Sequence, residues 1–197
     1  VCVSVQRIYA HEDVATQLTE GLVKLAEKMQ VGDPLDHKTE VGPLIDKAEV
    51  ERVHEWVQEA EKAGAKILTG GKKIGQTCYT PTVILNPPDS VKVSCSEIFG
   101  PVVLVYTYKD RQEAIDRANN VPFSFQAAVF TKNIDTAWDT VSKLNASAVM
   151  VNDHTAFRVD WMPFAGHKAS GLGVGGMVYT MEEMTEEKMV VFRSSGL

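Results

Sequence analysis

No apolar run in the 197 residues approaches the roughly 18 needed to cross a bilayer as a helix, so nothing reads as a membrane span. Cysteine is scarce: Cys2, Cys78 and Cys95 stand far apart, in no ligand-like spacing. An odd, scattered set argues for free thiols in a reducing compartment, read as the cytoplasm, and against a disulfide frame or a metal site. Basic excess is missing as well. Twenty Lys and Arg face 26 Asp and Glu, a net charge of −6, and no basic stripe breaks the pattern, which argues against nucleic acid. The surplus acid is spread along the chain and reads as solubility rather than as a docking surface. Internal repeats and low-complexity segments are absent. So is an initiator Met: the chain opens on Val1 in an apolar strand pattern and reads as a fragment or a processed product.

What is present suits one real core. Hydrophobic residues make up 44% of the chain, enough for one domain plus an arm. Val3, Val5, Ile8 and Tyr9 suggest a strand over 3–10. Val14, Leu18, Leu22, Leu25 and Met29 recur at helical intervals and predict an amphipathic helix over 12–30 with that stripe inward. A polar loop follows over 31–45. Asp46 with Glu49 marks a helix start, Val50, Val53, Trp56, Val57 and Ala60 its apolar face, and Gly64 its end. Lys66–Thr69 and residues 81–86 are short strands, with 72–80 as loop, and 102–108 is a β-branched and aromatic strand. Asp110 with Glu113 opens a helix to 119, Ala127–Phe130 is a strand, and a helix over 133–145 turns Ala137, Trp138, Val141 and Leu144 inward. Ala148–Asn152 is another strand, 153–177 is loop-rich, and Met189–Phe192 reads as a final strand. Strands alternating with helices predict an α/β fold: a mostly parallel sheet with helices on both faces.

The chain is organised around Ser94–Tyr106. Glu97 stands directly before the buried strand, followed by Phe99 and a Gly100-Pro101 turn. A carboxylate at a strand entrance can accept hydrogen bonds from sugar hydroxyls, and a phenyl ring beside it can cover a flat heterocycle. By composition alone, a turn with a solvated Glu and a core Phe is the favoured reading.

Glu97-Ile98-Phe99-Gly100-Pro101 resembles the Glu-Ile-Phe-Gly-Pro signature of the aldehyde dehydrogenase superfamily. Further segments match in the same order. Cys2-Val3-Ser4-Val5-Gln6-Arg7 resembles the segment that begins at the family's nucleophile, and Gly42-Pro43-Leu44 its Gly-Pro-Leu turn. Pro81-Thr82-Val83 resembles its Pro-Thr-Val strand, and Pro163 to Gly171 its Pro-Phe-Gly-Gly-Tyr-Lys-x-Ser-Gly run. The resemblance implies that Cys2 attacks an aldehyde, that Glu97 and Phe99 hold the riboside of NAD or NADP, and that the product is a carboxylic acid. It covers only the C-terminal part of such an enzyme. The N-terminal cofactor-binding domain, the Glu that activates the deacylating water and an oxyanion-hole Asn would all lie upstream. It implies a catalytic domain over 1–177 and an oligomerisation arm over 178–197, whose final strand would serve a dimer or tetramer. The chain alone is expected to oxidise no aldehyde.

Two other stretches imitate chemistry. Gly75-Gln76-Thr77-Cys78 reproduces the text before a nucleophile, but Val83 stands where the Arg should follow, and Glu97 is only 19 residues beyond Cys78, against 95 beyond Cys2. Cys78 therefore reads as structural, and Cys95 as a packing residue. Gly171-Leu172-Gly173-Val174-Gly175-Gly176 spells G-x-G-x-x-G, but a loop precedes it and Met177-Val178-Tyr179-Thr180 does not read as a helix start, so a dinucleotide fingerprint is not expected.

Within the resemblance, Asn152 to Phe164 lines the aldehyde entrance, with Phe157, Trp161 and Phe164 as an apolar wall. Arg158 among them either receives a carboxylate or phosphate on the substrate, or pairs internally with Asp160 or solvent. His154 is a candidate for proton work by type, whereas His167 stands where the family has Tyr and reads as aromatic packing. Two rival functions stay open: a non-catalytic interaction module built on the family's oligomerisation surface, and a thiol-dependent esterase acting through Cys2.

Overall fold

The computed structural model describes residues 2–196. In chain order its elements are β1 (Arg7–His11), α1 (Glu12–Lys28), α2 (Lys47–Lys62), β2 (Lys66–Thr69), β3 (Lys73–Ile74), β4 (Cys78–Tyr79), β5 (Thr82–Leu85), α3 (Lys92–Cys95), β6 (Val102–Tyr108), α4 (Arg111–Asn119), β7 (Phe123–Ser124), β8 (Gln126–Val129), α5 (Ile134–Lys143), β9 (Ala148–Val151), β10 (His167–Lys168) and α6 (Met177–Glu183). The main sheet runs β1-β6-β5-β2, and β8 pairs with β9 separately. β1/β6, β5/β6 and β8/β9 are parallel, whereas β2 closes the main sheet antiparallel to β5. The α/β, mainly parallel fold predicted from the sequence is the one observed.

Strand alternation distributes the core. Val102, Leu104 and Tyr106 of β6 face α2, where Val50, Val53, Val57 and Ala60 are fully buried. Val103 and Val105 face the opposite way, against Ala15, Leu22, Val23 and Ala26 of α1. Period-two side chains on one buried strand thus serve two helices on two faces. Asp46 caps α2 by accepting from the Glu49 amide at 3.0 Å, and Gly64, at φ +96°, follows its end, both as the sequence predicts.

Other expectations need correcting. β1 starts at Arg7, not at residue 3. The expected inward stripe of α1 faces solvent at Val14, Leu18, Leu25 and Met29. Its buried face is Ala15 and Thr19, with Leu22, Val23 and Ala26 alongside. Both stripes have helical spacing; close approach to the sheet selected the one with smaller residues, which periodicity does not distinguish. Trp138 is 68% exposed, while Ala137 and Thr140 of α5 are buried. Residues 72–80 contain the small β3/β4 hairpin rather than only loop. Asp110 caps α4 through the Gln112 amide, with Glu113 taking no reciprocal part in that contact. Met189–Phe192 forms no strand among the described residues: these side chains are exposed and the segment has no neighbour to complete a ladder.

Candidate active site

β1 and β6 are hydrogen-bonded neighbours running the same way, with Arg7 opposite Leu104. The segment before β1, which holds Cys2, and the loop before β6, which holds Glu97 and Phe99, therefore leave the sheet at the same end. Gln6 ties them together. Its Nε2 donates to the carbonyls of Val93 (3.0 Å) and Ser96 (2.8 Å), and its Oε1 accepts from the Ile98 amide (2.9 Å). From the other side Arg52 of α2 donates to the Ile98 carbonyl at 2.7 Å. Arg52 is itself held by Glu49 and lies over the Trp56 ring at 4.4 Å. The Ile98 side chain is buried, so its whole residue is an anchor.

On either side of that anchor the chain turns outward. Glu97 is exposed, and Phe99 sits at φ +51° with its ring 57% exposed. The core Phe that composition alone suggests is not found: Ile98 takes the core place, and the left-handed backbone at Phe99 leaves that residue exposed. Cys2, also exposed, lies in a turn before β1.

The third segment is the loop after β9. Thr155 is buried and its Oγ1 donates to the Val3 carbonyl, one residue past Cys2. Around this tether Phe157, Trp161 and Phe164 are exposed, Trp161 most of all at 76%. Phe164 is fixed by reciprocal backbone bonds with Gly175 and stacks edge-on against Phe125 at 4.9 Å. The Arg158 guanidinium lies over the Phe164 ring at 4.9 Å and donates to the Met162 carbonyl at 2.9 Å. Among the described residues it forms no ion pair with Asp160. Its charge is oriented by these contacts and open to solvent, one of the two internal alternatives that the sequence offers.

Gln6, Thr155 and Arg52 are the residues that sequence reasoning missed. Their partners are backbone groups up to 152 positions away, and no local pattern announces such bonds. Arg7, which follows Cys2 in the family pattern, is a fold residue. It donates to the Ala118 carbonyl at 3.1 Å, at the C-terminal end of α4, and to the Tyr9 hydroxyl at 3.2 Å. Tyr9 stacks on Tyr106 at 5.1 Å, with Arg117 over both rings and paired to Asp89. Burial pushes the Tyr106 phenol up to about 12, against its hydrogen bond to Ser94.

The side chains of the remaining candidates take no part in these tethers. Cys78 lies in the β3/β4 hairpin, opposite Ile74. Cys95 ends α3, its sulfur 3.9 Å from the Ser90 carbonyl. His154 uses Nδ1 to accept from the Ala156 amide. His167 is exposed in β10, so the packing expected of it is not present. A helix does begin at Met177, contrary to expectation, because Gly176 at φ +122° redirects the chain and Met and Glu favour the turn that follows. A loop still precedes it, and the fingerprint remains incomplete. Among the described residues there is no cluster of three His, Cys, Asp or Glu able to hold a metal, and no helix long and apolar enough to cross a membrane.

Comparison with known proteins follows the same outline. The model of the aldehyde dehydrogenase family matches residues 1–190. A 3-sulfolactaldehyde dehydrogenase of Priestia aryabhattai is 43% identical over 97% of this chain and 40% of its own length. A lactaldehyde dehydrogenase of Methanococcus maripaludis is 36% identical over 98% of this chain and 41% of its own. Among solved structures, aldehyde dehydrogenase 21 of Physcomitrella patens, in complex with the reaction product succinate, superposes over the whole chain and 40% of its own, with a TM-score of 0.94 and 37% identity. The glyceraldehyde-3-phosphate dehydrogenase GapN of Methanocaldococcus jannaschii, complexed with NADP, gives a TM-score of 0.89 at 38% identity over 93% of this chain and 40% of its own. The chain thus spans about 40% of the length of these relatives. With the ordered motifs, the sheet and the family model in agreement, this chain belongs to the aldehyde dehydrogenase family.

Proposed function

We propose that this chain is the nucleophile-bearing catalytic part of an NAD- or NADP-dependent aldehyde dehydrogenase, with residues 1–177 as catalytic domain and 178–197 as an oligomerisation arm. The observation that carries the reading is the pair of side-chain tethers, Gln6 to the Glu97 loop and Thr155 to Val3, which gather three segments at one end of the sheet.

In this reading the Cys2 thiolate attacks the aldehyde carbon, and the carbonyl oxygen takes a proton to give a thiohemiacetal. The Cys2 backbone N–H is one donor for the developing oxyanion. The exposed Glu97 carboxylate would accept hydrogen bonds from ribose hydroxyls, and the outward Phe99 ring would pack beside the nicotinamide, so both residues fit the cofactor. When bound, the nicotinamide would supply the acceptor for the hydride lost from the thiohemiacetal carbon, while the hydroxyl proton leaves to solvent. The Cys2 thioester that remains is cleaved by water or another acyl acceptor, which frees the thiol. Phe157, Trp161 and Phe164 wall the aldehyde entrance. Arg158, stacked on Phe164 and free of Asp160, favours a small aldehyde with an anionic group at its far end. The names of the similar proteins, with sulfolactaldehyde and succinate among them, support that class.

The test is a chimera in which this chain replaces the matching 40% of the Priestia relative. NAD(P) reduction with 3-sulfolactaldehyde, lost on Cys2→Ser, is the expected result, and the 197-residue chain alone should be silent. A folded chimera that binds cofactor but is indifferent to Cys2→Ser would overturn the nucleophile assignment.

The non-catalytic module remains the second reading, favoured by the exposed and unpaired apolar segment Met189–Phe192. It predicts that the chain self-associates in sedimentation and that Cys2 alkylates no faster than an ordinary thiol.

A further inference from the structure

We infer that Gln6 is a positioning residue: it sets the place of Glu97 and Phe99 relative to the strand that Cys2 leads into. This rests on the cofactor-facing role proposed above for Glu97 and Phe99.

A glutamine side chain offers two N–H donors and one carbonyl acceptor. At Gln6 both kinds are used on one short stretch: Nε2 to the Val93 and Ser96 carbonyls, Oε1 from the Ile98 amide. The choice of partners follows from helix geometry. α3 has only four residues, and the last carbonyls of a helix have no partner within it. Val93 is one of these, and Ser96, the C-cap, leaves its own carbonyl open just beyond. The Gln6 amide therefore closes the C-terminal end of α3 and grips the first peptide that follows Glu97.

Gln6 is itself held by the sheet. Its main-chain carbonyl accepts from the Leu104 amide at 2.8 Å, which seats the residue between β1 and β6. A rigid strand end thus reaches across to a loop about ninety positions later and defines its height above the sheet. The loop needs that restraint. Phe99 adopts φ +51°, a conformation rarely held by a bulky side chain unless the surroundings impose it. Arg52 grips the Ile98 carbonyl, but it comes from α2 and carries no information about where Cys2 is. Gln6 alone of the two belongs to the nucleophile's own segment.

The experiment uses the whole 197-residue chain with Gln6→Met, which keeps the side chain's length and removes all three bonds, and Gln6→Glu, which keeps the acceptor and removes the donors. Amide hydrogen exchange is read at Ile98 and Phe99 against Leu104 and Val53 in the core, and oxidised nicotinamide mononucleotide is titrated onto the same variants of the chimera with the Priestia relative. In Gln6→Met the loop amides should exchange at least about tenfold faster and the nucleotide should bind about tenfold more weakly, with core exchange unchanged. Gln6→Glu, which loses the donors to the Val93 and Ser96 carbonyls and keeps the Ile98 acceptor, should loosen the loop as well, by less than Gln6→Met. Unchanged loop exchange in both variants overturns the inference. A loosened loop with unaltered nucleotide affinity reduces Gln6 to a fold residue and overturns it too. A wild-type chimera that folds and ignores the nucleotide overturns the cofactor reading instead, while loop exchange in the chain still decides the geometry. Should Gln6→Met not fold, Gln6→Asn, which keeps the amide one methylene short, carries the same comparison.

Discussion

Thr155 and Val3 are joined by a side-chain hydrogen bond across 152 positions of sequence. The donor hydroxyl is on a buried residue, the acceptor carbonyl is adjacent to Cys2, and the bond fastens the loop after β9 to the segment before β1. Replacing Thr155 by Val keeps the shape and leaves that carbonyl unpaired. Chemical denaturation should show a loss of about 1–2 kcal/mol, with Thr155→Ser recovering most of it. Cys2 alkylation should quicken in the Val variant if the tether restrains its segment; an unchanged rate confines Thr155 to stability.

Arg158 is oriented by Phe164 and the Met162 carbonyl, and among the described residues no carboxylate pairs with it. In the chimera described above, Arg158→Ala should raise KM for an anionic aldehyde about tenfold to a hundredfold and leave a neutral one such as propanal nearly untouched. Equal losses for both substrates would remove the anion assignment.

Alkali should destabilise the fold through two buried phenols. Burial raises Tyr79 and Tyr106 from the ordinary value of 10.0 to about 12. A group whose pKa is higher folded than unfolded contributes its stability in full below the unfolded value and loses it as pH climbs through the folded one. Unfolding free energy should therefore fall between pH 10 and pH 12, by roughly 2–3 kcal/mol per ring. Urea titrations across that window check the slope, and Tyr79→Phe, which also gives up the hydrogen bond to His54, should flatten about half of it.

Gly70 and Gly64 look alike in sequence and differ in surroundings. Gly70 has φ +81°, and a Cβ there would collide with the Pro81 carbonyl oxygen. Gly64 has φ +96° with nothing within 4 Å. Gly70→Ala should cost more than about 2 kcal/mol, because strain and clash add, and Gly64→Ala only about 1 kcal/mol. Comparable melting temperatures for the two variants would contradict this.

Element types were legible from the sequence wherever one local rule decided them. The Asp46 cap, the Gly64 stop and the β6 run each rest on neighbouring residues and stand where expected. The errors share a cause. α1 carries two stripes of helical spacing, and only the distance to the sheet says which is inside. Met189–Phe192 has strand composition, but a strand exists only with a neighbour to bond. Phe99 has the composition of a core residue, yet its neighbour Ile98 fills that place.

Sequence by itself determined the alternation of strands and helices, the caps, and the ordered motifs at Cys2, Glu97 and Pro163–Gly171 that mark the family, because these are properties of residues near one another in the chain. Tertiary structure alone decided what holds those motifs together. Gln6, Arg52 and Thr155 act on backbone atoms of distant segments, and a backbone carbonyl has no letter in a sequence to be read.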